Sequence, residues 1–223
     1  MHINKVLSHI LEMFLVGHSV WGYVLASLTA RALRLDSAHN SYRFNPYIAM
    51  ILAMIPDIDI ILYDLGIRHR SITHSILFWL VVFIPFLIVY RKRSLPYLVA
   101  VMQHIMVGDI IVGKTRILWP LGYELGLGYG ITSSVNISIE MIGIVMMLVL
   151  ARSDVMLSAR RSNIFSIVII IIVLGSLFYL LIPLPISKLI ASENIPYIVA
   201  LHVVYSAVLS IPFIQSVRGI LKS

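Results

Sequence analysis

Seven apolar stretches of membrane-spanning length divide the chain, at roughly 10–31, 46–62, 71–90, 96–113, 134–151, 163–182 and 196–215. A spanning helix needs about 20 mostly apolar residues, with a range of about 17 to 25. Lipid offers no hydrogen-bond partners, so such segments must satisfy their own backbone groups and fold as helices. The expected fold class is therefore all-α: a polytopic helical protein of about seven transmembrane helices, passing several times through the cell membrane with the lipid bilayer as its partner. Composition agrees, with 60% hydrophobic and 12% charged residues, against about 25% charged in a soluble domain. The absence of cysteine excludes a disulfide scaffold, a thiolate nucleophile and a thiolate metal site.

The net charge is +7, from 17 Lys and Arg against 10 Asp and Glu. Such a balance can signal nucleic acid. Here the cations sit in short clusters between apolar runs, such as Arg91, Lys92 and Arg93, or Arg160 and Arg161. That placement matches the positive-inside rule for membrane loops, and no nucleic-acid partner is expected. With the end of the first stretch in the cytoplasm and strict alternation, eleven cations fall inside and six outside. The expected orientation is N-terminus out and C-terminus in. His9, Glu12 and His18 interrupt the first apolar stretch, so a membrane helix is expected there rather than a cleaved signal.

Polar chemistry is concentrated early. His18, Asp57, Asp59, Asp64, His69, His74, His104 and Asp109 all precede residue 115, and the last two stretches add little beyond His202. The expected organisation is one integrated domain, with a chemical part at 1–151 and supporting helices at 152–223. The glycine-rich segment 122–130 lacks the Lys-Ser/Thr ending of a phosphate-binding loop. It is expected to be a flexible interfacial loop with tyrosines at headgroup level.

Three acids need a partner. An aspartate at the centre of a membrane helix costs about 2.5–3.5 kcal/mol, so Asp57, Asp59 and Asp109 together approach roughly 8–10 kcal/mol unless they lie near the interface. Net stability is only about 5–15 kcal/mol, and a divalent cation would offset the cost. Pro56 removes an N–H and breaks a helix. The segment Pro56, Asp57, Ile58, Asp59 is thus expected to be a break that aims both carboxylates at one place if extended. Next comes His69, Arg70, Ser71, Ile72, Thr73, His74, Ser75. Ser71 is the expected N-cap, with His74 in the first turn, where the helix dipole favours a neutral, metal-binding imidazole. Arg70 is suited to holding a phosphate bidentately. Alternation carries His18, the end of the second stretch, the start of the third and the end of the fourth, with His104 and Asp109, to one membrane face.

These residues, in this order, with Leu118, Trp119 and Pro120 beyond them, resemble the YdjM-like membrane-bound metal-dependent hydrolases over roughly residues 15–125. The distinctive parts are the Pro-Asp-x-Asp and His-Arg-x-x-Thr-His-Ser motifs. The family is distantly similar to zinc-dependent phospholipases C and allied nucleases, and the resemblance implies phosphoester hydrolysis at clustered His and Asp. Two features depart from the family pattern. Ser71 follows His69 and Arg70 where a glycine is common, and His104 and Asp109 are five apart rather than four. Five residues turn about 140° on a regular helix, so either Gly108 permits a local bulge or Asp109 stands outside the ligand shell.

The expected function is a membrane-embedded metal-dependent hydrolase acting on a phospholipid or another lipid-linked phosphoester. His18, Asp57, His69, His74, His104 and Asp109 would bind a divalent metal, with zinc expected. Asp59 would bridge or act as general base, and Arg70 would neutralise the phosphate. The alternatives are an ion- or proton-coupled transporter using intramembrane His and Asp, or a membrane scaffold with a structural metal. A transporter of the repeat type should carry an inverted repeat and a mid-membrane site. The sequence has no visible repeat, and its acids lie toward one surface.

Overall fold

A computed structural model describes residues 15–35, 44–60, 69–130 and 133–153, together with helical positions 196, 197, 200, 203, 204 and 207. The stretch expected at 163–182 lies outside the described residues, as do most of 196–215, Asp64 and His202. Among the described residues the protein is helical, with an isolated bridge between Thr115 and Leu125 but no strand.

The helices are α1 (Leu15–Ala32), α2 (Pro46–Leu52), α3 (Ile76–Tyr90), α4 (Leu95–Gln103), α5 (Ile110–Val112) and α6 (Ser134–Ser153). Two helical runs, Ile76–Val112 and Ser134–Ala151, are long and apolar enough to cross a membrane. The first has 37 residues, about 55 Å if straight, against a hydrocarbon core of about 30 Å. It is not straight. Arg91 adopts φ 50° and ψ −130°, and the tight turn Arg91–Ser94 reverses the chain. Trp79 and Phe83 then pack with Leu98, Val101 and Ile105, so α3 and α4 form an antiparallel hairpin with three cations at its apex.

Small residues let the other helices approach closely. Gly22, Ala26 and Ala30 repeat every fourth position along α1, the spacing that lets membrane helices pack backbone to backbone. Ala26 and Ala30 are buried with Ala49, Ala53 and Ala100, and a Cβ on Gly22 would collide with that of Ala53. Gln103 donates from Nε2 to the His18 carbonyl at 2.8 Å, tying α4 to α1. A methyl on Gly17 would lie 3.1 Å from the Glu140 carboxyl carbon, and Arg31 donates to the Leu150 carbonyl at 3.2 Å. So α1, α3 and α6 point one way, and α2 and α4 the other. One end of the bundle gathers the start of α1, the end of α2, the approach to α3 and the end of α4. Arg31, Arg34 and the Arg91–Ser94 turn occupy the opposite end.

Two local expectations are corrected. The N-cap of α3 is Ser75, whose Oγ accepts from Phe78 N–H, rather than Ser71. Tertiary bonds decide this: Asp59 takes the Arg70 N–H at 3.2 Å and the Thr73 hydroxyl at 2.7 Å, holding residues 70–73 out of the helix. His74 therefore precedes the helix. The glycine-rich segment is not loose either. Leu127, Tyr129 and Gly130 donate their N–H groups to the carbonyls of Ile110, Ile111 and Val112 at 2.6, 3.1 and 3.0 Å, capping carbonyls that a helix end would otherwise leave unsatisfied.

Candidate metal centre

Two walls of the polar cluster are places where regular helix gives way. After α2, Pro56 enforces a 3-10 turn, Ile55–Ile60. This is a break as expected, but tightly wound instead of extended, so Asp57 and Asp59 diverge. They reach opposite nitrogens of one imidazole: Asp57 Oδ1 lies 3.3 Å from His74 Nε2, and Asp59 Oδ2 lies 3.1 Å from His74 Nδ1. After α4, residues His104–Asp109 form a π turn. The wider turn is the bulge that five-residue spacing requires, and it brings His104 and Asp109 to one side. His104 Nε2 and Asp109 Oδ2 are 3.5 Å apart.

The four atoms His74 Nε2, His104 Nε2, Asp57 Oδ1 and Asp109 Oδ2 converge. The two nitrogens are 3.3 Å apart, Asp57 Oδ1 is 3.3 Å from each, and Asp109 Oδ2 is 3.5 Å from each. Metal–ligand bonds of about 2.0–2.1 Å in tetrahedral array have edges of about 3.3–3.4 Å. Protonation strengthens the match. His104 Nδ1 lies 2.7 Å from the Ala53 carbonyl, which can only accept. His74 Nδ1 faces Asp59, and His69 Nδ1 donates to Asp59 Oδ1 at 2.6 Å. With Nδ1 protonated in each ring, the Nε2 atoms keep their lone pairs. Oriented imidazoles of this kind, each held by a carboxylate or carbonyl, are characteristic of metal ligands. Four lone-pair donors then face one another in a buried space, an arrangement that could hold a metal ion.

His18 and His69 flank this quartet. Two triads have ligand atoms within 4.8 Å of one another: His18, His104 and Asp109, and Asp57, His69 and His74. Together they contain all six residues expected as ligands. His18 stacks on His104 at 3.6 Å with the rings 16° from parallel, so their nitrogens aim alongside one another rather than at one point. Its Nδ1 is buried without a hydrogen-bond partner among the described residues. Asp59 stands behind His74 and His69, its oxygens facing Arg70 N–H, the Thr73 hydroxyl and the two Nδ1 atoms. Arg70 holds a left-handed backbone conformation, φ 61°. Its Nη2 is 3.7 Å from Asp109 Oδ1, and a Cβ on Gly113 would strike the guanidinium.

Glu140, Asn136 and Gln103 carry no role in the sequence-based expectations, yet all are buried. Asn136 Nδ2 donates to Glu140 Oε1 at 3.2 Å, beside Gly17. The signal was available for Glu140, an acid inside the apolar run 134–151. Gln103 offered none, because its bond to the α1 backbone depends on packing.

Apolar helices of membrane-spanning length around a buried His/Asp cluster define the class. Within it, the model of the YdjM inner membrane protein family matches residues 13–186, and the chain belongs to that family. The match extends past residue 152, beyond the part of the chain richest in His and Asp. No curated protein and no solved structure matches the chain.

Proposed function

We propose that this protein is a multi-pass membrane hydrolase of phosphoesters, dependent on a divalent metal for which zinc is the best fit. The observation that carries this is the quartet of His74, His104, Asp57 and Asp109, with both imidazoles oriented through Nδ1 and both Nε2 atoms facing the carboxylates. Nitrogen and oxygen donors at these separations suit zinc. His18 and His69 extend the donor set on either flank.

A bound ion would supply Lewis-acid activation of water and of a phosphoryl oxygen. The remaining roles belong to the chain. Arg70, at the edge of the cluster beside Asp109, would hold the phosphate. Asp59 has its oxygens committed to neighbouring donors, which favours a positioning role for His69 and His74 over bridging or proton abstraction. Asp57 is the least buried carboxylate of the cluster and faces the side from which substrate would arrive.

The proposed topology has seven spans, with the cluster on the outer face and Arg91, Lys92 and Arg93 inside. The alternating helix directions and the placement of the cluster opposite the cationic turn support it. Purification in detergent, metal analysis, and a hydrolysis screen over phosphodiesters and phospholipids test the proposal. Bound zinc and hydrolysis lost together on chelation are expected. Absence of bound metal would overturn the reading, and metal without hydrolysis would favour a scaffold.

A further inference from the structure

Residues 113–130 form a folded lip beside the cluster. The Arg116 N–H donates to the Arg70 carbonyl at 3.3 Å, and Ile76 N–H donates to the Ile117 carbonyl at 2.9 Å. Ser75 Oγ donates to the Trp119 carbonyl at 3.2 Å. The lip is therefore bonded to the same segment that carries His69, Arg70 and His74. Its return arm is bonded to the end of α5, and Thr115 pairs with Leu125. Gly126 permits this, because a Cβ there would strike the Gly113 backbone.

The outer surface of this rigid lip is apolar. Leu121 is 72% exposed, Leu127 63%, Tyr123 54% and Tyr129 52%, and Trp119 is exposed beside them. Cations accompany them at Lys114 and Arg116, the latter paired with Glu124 at 3.0 Å. No loop bound for water needs such a row. The lip joins the end of one membrane-length run, Val112, to the start of the next, Ser134, so it must lie at the membrane surface. Trp, Tyr and cations are the residues that settle at headgroup level.

We infer that residues 113–130 seat in the headgroup layer and form the lateral entrance through which a lipid phosphate reaches Arg70 from the leaflet rather than from water. The entrance function rests on the hydrolase reading above, whereas the seat of the lip does not. The chain has no cysteine, so single cysteines at Leu121 and Leu127 can carry nitroxide labels in phosphatidylcholine–phosphatidylglycerol vesicles. Both labels should be more accessible to oxygen than to an aqueous nickel chelate, and a label replacing Lys92 at the hairpin apex should be the reverse. Chelate accessibility at 121 and 127 equal to that at 92 would overturn the seat.

Leu121→Ser with Leu127→Ser tests the entrance. Hydrolysis of phospholipid in the same vesicles should fall at least tenfold while hydrolysis of bis(p-nitrophenyl) phosphate stays at the wild-type rate. An equal fall on both substrates, or no fall on either, would overturn the entrance. Immersed labels in a wild-type protein that hydrolyses neither substrate would uphold the seat and remove the hydrolase reading.

Discussion

The hairpin of α3 and α4 has two unlike ends. At its apex, Arg91, Lys92 and Arg93 are exposed, and the turn is closed by local bonds such as Ser94 Oγ to the Arg91 carbonyl at 2.8 Å. At its open end, His74, His104 and Asp109 are buried, and their geometry depends on residues far away in sequence, among them Asp57, Asp59 and Ala53. The difference separates two ways of handling polarity beside lipid. Charges that reach water are solvated there and can be placed by hydropathy alone. Polar groups withdrawn from water must be paired, so each constrains the position of the next.

Substitutions should therefore have large, coupled effects at the open end and small ones at the apex. The largest belong to the quartet: Asp57→Ala or His74→Ala should strip bound metal and abolish hydrolysis, because each removes a donor atom. Full metal retention in both, measured by elemental analysis, would sink the assignment. Asp59→Asn should weaken metal affinity by about 10–100-fold, the usual cost of losing the group that orients a ligand, with residual turnover restored by excess metal. No rescue would mean that Asp59 acts on the reaction itself.

Arg70→Ala should keep metal near wild type and lower turnover on the order of 10²-fold, as removal of one charge-stabilising donor does. Gly113→Ala should follow it in the same direction with a smaller loss, since a Cβ at 113 displaces the guanidinium without deleting it. Metal loss in Gly113→Ala would show that the lip supports the cluster as well as Arg70. The smallest effect is expected at the apex: replacing Arg91, Lys92 and Arg93 with Gln should leave metal and turnover unchanged. Ser94 is buried, so cysteines for topology belong at Lys92 and Ser133. Impermeant reagents should label them from opposite sides, with 92 cytoplasmic, and same-side labelling would break the contrast between the two ends.

Much of the site was legible because its residue types are costly in an apolar chain. His18, Asp57, Asp59, His69, His74, His104 and Asp109 stood out before any packing was known, and the structure brings them together at one end. What was not legible is which atom meets which. Two-residue spacing suggested that Asp57 and Asp59 share a direction, whereas the 3-10 turn after Pro56 splits them across the two nitrogens of His74. A plausible cap at Ser71 lost to Ser75 because Asp59 withholds the preceding residues. The glycines of 122–130 suggested looseness, yet the backbone they free is recruited to cap α5.

By itself, the amino-acid sequence determined the helical class, the apolar stretches around 71–90, 96–113 and 134–151, the cationic loop at Arg91, Lys92 and Arg93, and the identity of the polar residues. These follow from hydropathy, helix geometry and proline sterics, which act within a few residues. The tertiary structure alone decided the pairing of Nε2 atoms with carboxylates, the withdrawal of Asp59 behind His74, the burial of Gln103 and the seating of Arg70 against Gly113. Those depend on close approach between segments tens of residues apart, along the small-residue seam of α1 and across the π turn. Their energy is realised only when both partners have left water.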